Sequence, residues 1–180
     1  MIKIAILGPE STGKTYLAQQ LATHFSGQWI PEYAREYVEK LNRSYTYEDV
    51  CAIAEQQINT EKSIAKNNEN GIVFFDTELI ITKVWFEYCY KHIPQNVLTQ
   101  LNSGFFDFYL LCNYDLPWEA DPVREHGDDR AYFFDWYQRE IELTSKPYVI
   151  ISGMGNNRIN SAISAIENFL KTTNIVYINE

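Results

Sequence analysis

The segment GPESTGKT, at residues 8–15, constrains the fold of this chain more than any other feature. It fits the pattern Gly-x-x-x-x-Gly-Lys-Thr in full. An apolar run at residues 2–7 precedes it, and Leu17, Leu21 and Phe25 follow it at helical spacing. Between a strand and a helix, such a glycine-rich loop turns its backbone amides inward, and the helix dipole favours an anion. The sequence therefore predicts a phosphate-binding loop.

The side chains of this loop indicate a nucleotide with a metal ion. Lys14 would reach the β- and γ-phosphates, and the Thr15 hydroxyl can ligate magnesium. The alternative is a chance glycine-rich turn, which average residue usage makes a matter of roughly one percent or less in a chain of this length. We therefore predict that ATP and Mg²⁺ bind here, through Gly8, Glu10, Ser11, Thr12, Gly13, Lys14, Thr15 and Tyr16.

Short apolar runs alternate with helical patterns along the rest of the chain. Further strands are predicted within residues 27–34 and at 72–76, 106–112 and 147–152, with an edge strand at 175–178. Helices are predicted at residues 46–67, 78–90, 131–143 and from about Arg158 to Leu170. Strands that are apolar throughout and alternate with helices are typical of a parallel sheet covered on both faces. The predicted fold is a three-layer α/β domain with a mostly parallel five-stranded sheet.

Size and charge narrow the function. A chain of 180 residues with 46% hydrophobic content fits one domain spanning residues 1–180. The net charge of −9 is the wrong sign for a protein that binds the phosphate backbone of a nucleic acid. We therefore expect a small-molecule partner, with the oligomeric state left open.

The cysteines and the N-terminal sequence bear on location. Cys51, Cys89 and Cys112 are odd in number and far apart, so they suggest neither a disulfide framework nor a zinc site. The chain begins without a basic segment followed by an apolar one, and no apolar run approaches the roughly 18 residues of a membrane span. These features predict a cytoplasmic protein that does not bind membranes.

Two acids are candidates for general base. Asp76 closes the run IVFFD, so it lies at the edge of the sheet where open α/β folds bind ligands. It could hold magnesium, take a proton, or only cap the following helix. Glu32 follows the second predicted strand and faces the same edge, unless it is a solvated turn residue.

A long polar segment at residues 113–130 is typical of a lid. Arg124 and Arg130 in it could stabilise the transferring phosphoryl group and exclude water, or could only pair with neighbouring acids. Trp118 could stack on a flat ring beside Asp121, although a tryptophan in a loop more often packs against protein.

Four segments together resemble the nicotinamide riboside kinase domain of NadR-type proteins: GPESTGKT, PEYAREYVEKL, FFDTELIITKVWFEY and DFYLLCNYDLPWEADPVRE. The resemblance runs over nearly the whole chain. The first segment is common to many nucleotide-binding proteins, whereas the motifs at residues 32–37 and 117–124 are more particular to this family. The resemblance implies a P-loop kinase fold with a lid at about residues 113–130.

The resemblance also implies the reaction and the roles of residues. The γ-phosphate of ATP would pass to the 5′-hydroxyl of nicotinamide riboside, with magnesium, giving the mononucleotide. Lys14, Asp76, Glu32, Arg124 and Arg130 would form the catalytic set, with Thr15 and Asp76 at the metal. The riboside would contact Glu32, Tyr33, Arg35, Trp118 and Asp121, with Trp118 stacked on the nicotinamide.

Two alternatives remain open, a kinase for another nucleoside and a non-catalytic ATP-binding switch module. Larger family members carry an upstream adenylyltransferase domain and an upstream DNA-binding domain. Because this chain starts at the phosphate-binding loop, we expect it to make the mononucleotide and stop there.

Overall fold

The computed structural model describes residues 1–66, 70–121 and 127–173. In chain order, these ranges contain β1 (Ile2–Leu7), α1 (Lys14–His24), β2 (Gln28–Ile30), α2 (Tyr33–Glu39), α3 (Tyr47–Lys66), β3 (Ile72–Asp76), α4 (Leu79–Tyr90), α5 (Gln95–Leu101), β4 (Phe108–Cys112), α6 (Arg130–Leu143), β5 (Tyr148–Ile151) and α7 (Gly155–Thr172).

The five strands form one parallel sheet in the order β2-β3-β1-β4-β5. The central strand β1 sets Ile4 opposite Phe74 of β3 and Phe108 of β4. The strands β3 and β4 are buried along their whole length, which explains why they read as continuous apolar runs. The predicted five-stranded α/β fold is confirmed. Because all strands are parallel, their carboxyl ends meet at one edge, where the loop after β1 begins.

Helices cover both faces of the sheet. Side chains alternate along β1, so Ile4 and Ile6 pack with α1 and α7, whereas Ala5 and Leu7 pack with α4 and α6. A third apolar cluster joins α3, α4 and α5 beside the sheet. Residues of α2, α3, α4 and α6 line the space beyond the carboxyl ends of β1 and β3.

Two helices, α2 and α5, are absent from the sequence prediction. Each has seven residues; α2 buries none of them and α5 buries only Val97, so neither shows an apolar period that could be recognised. The last helix begins at Gly155, three residues before the predicted start at Arg158. The predicted edge strand at residues 175–178 lies outside the described residues.

No disulfide joins Cys51, Cys89 or Cys112. Within the described ranges, none of the helices is both long and apolar enough to span a bilayer.

Candidate active site

The loop after β1 has the conformation of a phosphate cradle. Its backbone turns through positive φ at Gly8 (150°), Ser11 (57°) and Gly13 (73°). A Cβ at Gly8 would lie 2.6 Å from the carbonyl oxygen of Cys112, so only glycine fits there. The buried Thr12 hydroxyl donates to the carbonyl of Pro9 at 2.8 Å, so this side chain shapes the loop and leaves its backbone amide to a ligand. The helix α1 then starts at Lys14, with its amino end facing the loop.

The Lys14 ammonium lies across this cradle. It donates to the carbonyl oxygens of Gly8 and Pro9, each at 2.9 Å. Both contacts are local to the loop, so an incoming phosphate can replace them. The ammonium has three donors, which leaves one for a phosphate even before that exchange. Thr15 and Tyr16 are exposed on the first turn of α1. All the residues that the sequence assigned to the nucleotide line one large cavity: Gly8, Glu10, Ser11, Thr12, Gly13, Lys14, Thr15 and Tyr16.

This cavity has a volume of about 950 Å³, which suits a ligand of nucleoside size or larger. Its polar wall includes Glu32, Arg35 and Asp121. The cavity is also lined by aromatic side chains. Between ring centroids, Trp85 lies 5.9 Å from Tyr45 and 6.2 Å from Phe133. The cavity therefore joins the phosphate cradle to a wall that can accept a flat ring.

The two candidate bases face different spaces. Glu32, immediately before α2, lines the large cavity. Burial raises the pKa of Glu32; Lys14 opposes the rise and Asp76 adds to it. Asp76 is only 2% exposed and lines a separate cavity of about 30 Å³ between the ends of β2 and β3 and the helix α3, as does Tyr33. Burial also raises the pKa of Asp76, and the Thr15 hydroxyl and the Lys14 ammonium oppose that rise.

The structure at Asp76 fits a magnesium ion shared with a nucleotide. Both carboxylate oxygens of Asp76 are buried and have no hydrogen-bond partner among the described residues, while the Thr15 hydroxyl is close enough to affect the pKa of Asp76. Within the described ranges, no three His, Cys, Asp or Glu side chains form a metal centre of their own. Mg²⁺ is typically held by one or two protein oxygens together with phosphates and waters, which matches this donor set.

The residues of the predicted lid contact both sides of the site. Arg35 of α2 forms an ion pair with Asp121, and the same guanidinium pairs with Glu39 at 3.0 Å. Both Arg35 and Asp121 line the large cavity. The two partners of this ion pair are 86 positions apart in the chain, and the sequence analysis did not pair them.

Trp118 and Arg130 contact each other. The Arg130 guanidinium lies 5.9 Å from the centre of the Trp118 ring and donates to the carbonyl of Leu116 at 2.8 Å. On the described residues, Trp118 is not part of the lining of the large cavity, and Gly127 packs against its ring. Trp118 therefore contacts Arg130 of the predicted lid, whereas Trp85 is the tryptophan that lines the large cavity. Arg124 lies outside the described residues.

A buried arginine that the sequence analysis missed holds the back of the loop. Arg158, 4% exposed, donates to the carbonyl oxygens of Thr12 at 3.0 Å and Asn113 at 2.8 Å. It also pairs with Asp115 at 2.7 Å. One guanidinium therefore fixes the phosphate loop to the segments after β4 and β5. No local pattern could reveal a contact between positions 146 apart.

The sequence analysis also missed two acids, Glu78 and Glu61, that line the small cavity. Glu78 is 2% exposed and its carboxyl oxygens have no partner among the described residues. Glu61 accepts a hydrogen bond from the Gln100 amide at 2.7 Å, and burial raises the pKa of Glu61 to about 7. Both acids line the small cavity with Asp76. Glu78 is two positions from Asp76, which is the only signal the sequence offered.

A parallel sheet of this strand order, whose central strand runs into a phosphate cradle at a helix start, defines a P-loop kinase fold. Thymidylate kinase from Ehrlichia chaffeensis shares this fold, with a TM-score of 0.61 at 15% sequence identity over 94% of this chain and 98% of that chain. The chain belongs to the AAA domain family, whose model matches residues 3–158.

The relatives narrow this class further and confirm the resemblance seen in the motifs. The chain is 30% identical over 157 residues, or 81% of its length, to the trifunctional NAD biosynthesis/regulator protein NadR of Escherichia coli. It spans 37% of that protein's length. A structure of a NadR protein in complex with NR matches with a TM-score of 0.69 and 25% identity over 93% of this chain and 50% of that chain. A NadR protein in complex with NAD and AMP-PNP matches with a TM-score of 0.68 and 26% identity over 99% of this chain and 51% of that chain.

Proposed function

We propose that this chain transfers the γ-phosphate of ATP to the 5′-hydroxyl of nicotinamide riboside, giving nicotinamide mononucleotide. The observation that carries the proposal is a cavity of about 950 Å³ that joins the phosphate cradle to a wall bearing an acid and a flat aromatic group. The NadR protein that binds NR, the riboside, supports the choice of acceptor. In this proposal residues 1–180 act as one kinase domain with a lid at about residues 113–130.

ATP would occupy the cradle with its phosphates against the backbone amides of residues 8–15. The Lys14 ammonium would leave the carbonyl oxygens of Gly8 and Pro9 and follow the γ-phosphate during transfer. Thr15 and Asp76 would hold Mg²⁺ at the phosphates, Asp76 through a water molecule. When bound, this ion supplies charge neutralisation for the phosphate oxygens.

Glu32 is the residue we assign as general base. Glu32 lines the cavity that the acceptor would enter, whereas Asp76 lines the small separate cavity. Glu32 would take the proton of the 5′-hydroxyl as that oxygen forms its bond to the γ-phosphorus, and the bond to the β–γ bridging oxygen breaks to release ADP. A raised pKa of Glu32 suits this role, because a base works best when its pKa lies near the working pH.

The acceptor would be held by a polar and an aromatic contact. Arg35 and Asp121 form the polar side, where their ion pair can exchange hydrogen bonds with sugar hydroxyls. Trp85 and Tyr45 form the aromatic side, where a ring carrying positive charge is attracted to the π-faces. We therefore place the nicotinamide at Trp85, in preference to the stacking on Trp118 that the sequence suggested.

Arg130 would act from the lid. Its guanidinium is oriented by the carbonyl of Leu116 and by the ring of Trp118, so it can be directed to the phosphates as a preformed cation. Closing the lid would also exclude water, which competes with the acceptor hydroxyl. Arg124 is proposed for the same task from the sequence alone.

A panel of acceptors tests this assignment. ADP release with Mg-ATP is measured for nicotinamide riboside, thymidine, deoxycytidine and uridine, with an acceptor-free blank. The proposal expects the highest kcat/KM for nicotinamide riboside. A higher value for any other nucleoside would transfer the assignment to that substrate. ATP binding without acceptor-dependent turnover across the panel would instead support a non-catalytic module.

A further inference from the structure

Residues 116–121, here called the strap, are fixed directly to the phosphate loop. The backbone amide of Glu119 donates to the Ser11 hydroxyl oxygen at 2.9 Å, and that hydroxyl faces the carbonyl of Pro117 at 3.4 Å. Leu116 also packs over Gly13, since a Cβ at Gly13 would lie 3.2 Å from its Cδ1. The position of the strap therefore depends on the shape that the loop adopts.

The other end of the strap reaches the acceptor wall. Asp121 forms its ion pair with Arg35, and both side chains line the large cavity. The Asp121 side chain is 18% exposed, so this pair is partly shielded from water. A continuous series of contacts thus runs from the phosphate cradle through Ser11 and the strap to Arg35.

Ser11 has an unusual backbone for its residue type. Its φ of 57° lies in the left-handed region, where a residue other than glycine is disfavoured. Strained residues of this kind cluster at functional sites, because the surrounding structure must hold them. Glycine would relieve the strain at this position, but it would have no hydroxyl for the strap. The feature of Ser11 that the strap contacts is its Oγ, which glycine lacks.

We propose that Ser11 is a positioning residue that couples nucleotide binding to acceptor binding through the strap. Phosphates bound in the cradle would order the loop around Ser11, which fixes the amide of Glu119 and so holds Asp121 against Arg35. The acceptor then meets a wall that is already assembled. The inference rests on the proposed function, because it takes nicotinamide riboside as the acceptor.

Calorimetric titrations measure this coupling. The Kd of nicotinamide riboside is determined for the protein alone and for the protein saturated with Mg²⁺ and AMP-PNP, which permits binding without turnover. For the wild-type chain we expect the nucleotide to tighten riboside binding by about tenfold, within the usual range of coupling between sites. The reciprocal titration must give the same factor for AMP-PNP.

Three variants separate the hydroxyl from the backbone. Ser11→Ala and Ser11→Gly both remove Oγ, but only glycine relieves the positive φ. Both should reduce the coupling to less than about twofold. The matched control is Ser145→Ala, since Ser145 has the same φ of 57° and lies exposed after α6, away from the cavity. This control should retain the wild-type coupling.

The outcomes distinguish the inference from the proposed function. If nicotinamide riboside fails to bind the wild-type chain at all, the proposed function and the coupling both fall. If it binds with equal affinity with and without nucleotide, only the coupling falls. Coupling that survives in Ser11→Gly would show that the Oγ contact to the strap does not carry it.

Discussion

Glu32 follows β2 and Asp76 is the last residue of the neighbouring β3, where Ile30 lies opposite Phe75, yet the two acids line different cavities. Glu32 lines the large cavity, in which we propose that the acceptor binds. Asp76 lines the small cavity and lies near Thr15 and Lys14. In the proposed mechanism this separation assigns proton transfer to Glu32 and metal binding to Asp76.

Substitution of the two acids should give different kinetic signatures. Glu32→Gln should lower kcat by about a hundredfold or more with little change in the KM for ATP, because it removes the proton acceptor. Asp76→Asn should raise the Mg²⁺ concentration needed for half-maximal rate. Initial rates over a range of Mg²⁺ concentrations check both. If the two signatures were exchanged, Asp76 would be the base.

Lys14→Ala should lower kcat by about a hundredfold or more, because it removes the charge that follows the γ-phosphate. The fold should persist, since among the described residues the hydrogen bonds of the ammonium go to carbonyls of its own loop. Lys171→Ala, on an exposed turn near the end of α7, is the matched control and should retain wild-type rates. Circular dichroism verifies the fold, and full activity of Lys14→Ala would remove this residue from the mechanism.

The two tryptophans provide a test of where the base ring binds. Trp85→Ala should raise the KM for nicotinamide riboside about tenfold or more and leave the KM for ATP nearly unchanged, because a stacking surface is lost. Trp85→Phe keeps an aromatic ring, so its KM for nicotinamide riboside should lie between those of the wild-type chain and Trp85→Ala. Trp118→Ala should chiefly lower kcat, since its ring orients Arg130. A larger rise in the KM for nicotinamide riboside with Trp118→Ala than with Trp85→Ala would show that the nicotinamide ring binds at Trp118.

Glu61 should make folding stability depend on pH. Burial raises the pKa of Glu61 to about 7 in the folded chain, above the ordinary value of 4.5. Below pH 4.5 both states hold the proton; as the pH rises towards 7, the unfolded chain releases it first, so stability is lost. Glu61→Gln, which can still accept from Gln100, should remove this loss, worth on the order of 3 kcal/mol. Urea unfolding at pH 5 and pH 8 compares the variants. An equal fall in the free energy of unfolding between pH 5 and pH 8 in the wild-type chain and in Glu61→Gln would exclude Glu61 as the cause.

The sequence was sufficient for the sheet and for the phosphate loop because their signals are local. The run at Ile2–Leu7, the glycines after it and the helix from Lys14 are contiguous, and each has its own physical signature. The fully buried strands β3 and β4 were equally clear. Short α2 was missed because it buries no side chain, although it carries Arg35 into the cavity.

The walls of the site were harder to predict, because they depend on contacts between distant segments. Trp85 lies in an aromatic helix that reads as core, and it does pack there, yet one side of it faces the cavity. Trp118, in a loop with acids, had the more suggestive sequence, but its ring faces Arg130. Which tryptophan lines the cavity is decided by the packing of α4 against α3 and α6, which no spacing encodes.

The most direct test of the account is the identity of the phosphorylated product. The purified chain is incubated with Mg-ATP and nicotinamide riboside, and the acceptor product is identified by mass spectrometry and by phosphorus NMR, with Lys14→Ala as the blank. The account predicts nicotinamide mononucleotide phosphorylated at the 5′ position, formed in equal amounts with ADP. ADP that accumulates equally with and without the riboside, and no mononucleotide, would contradict it.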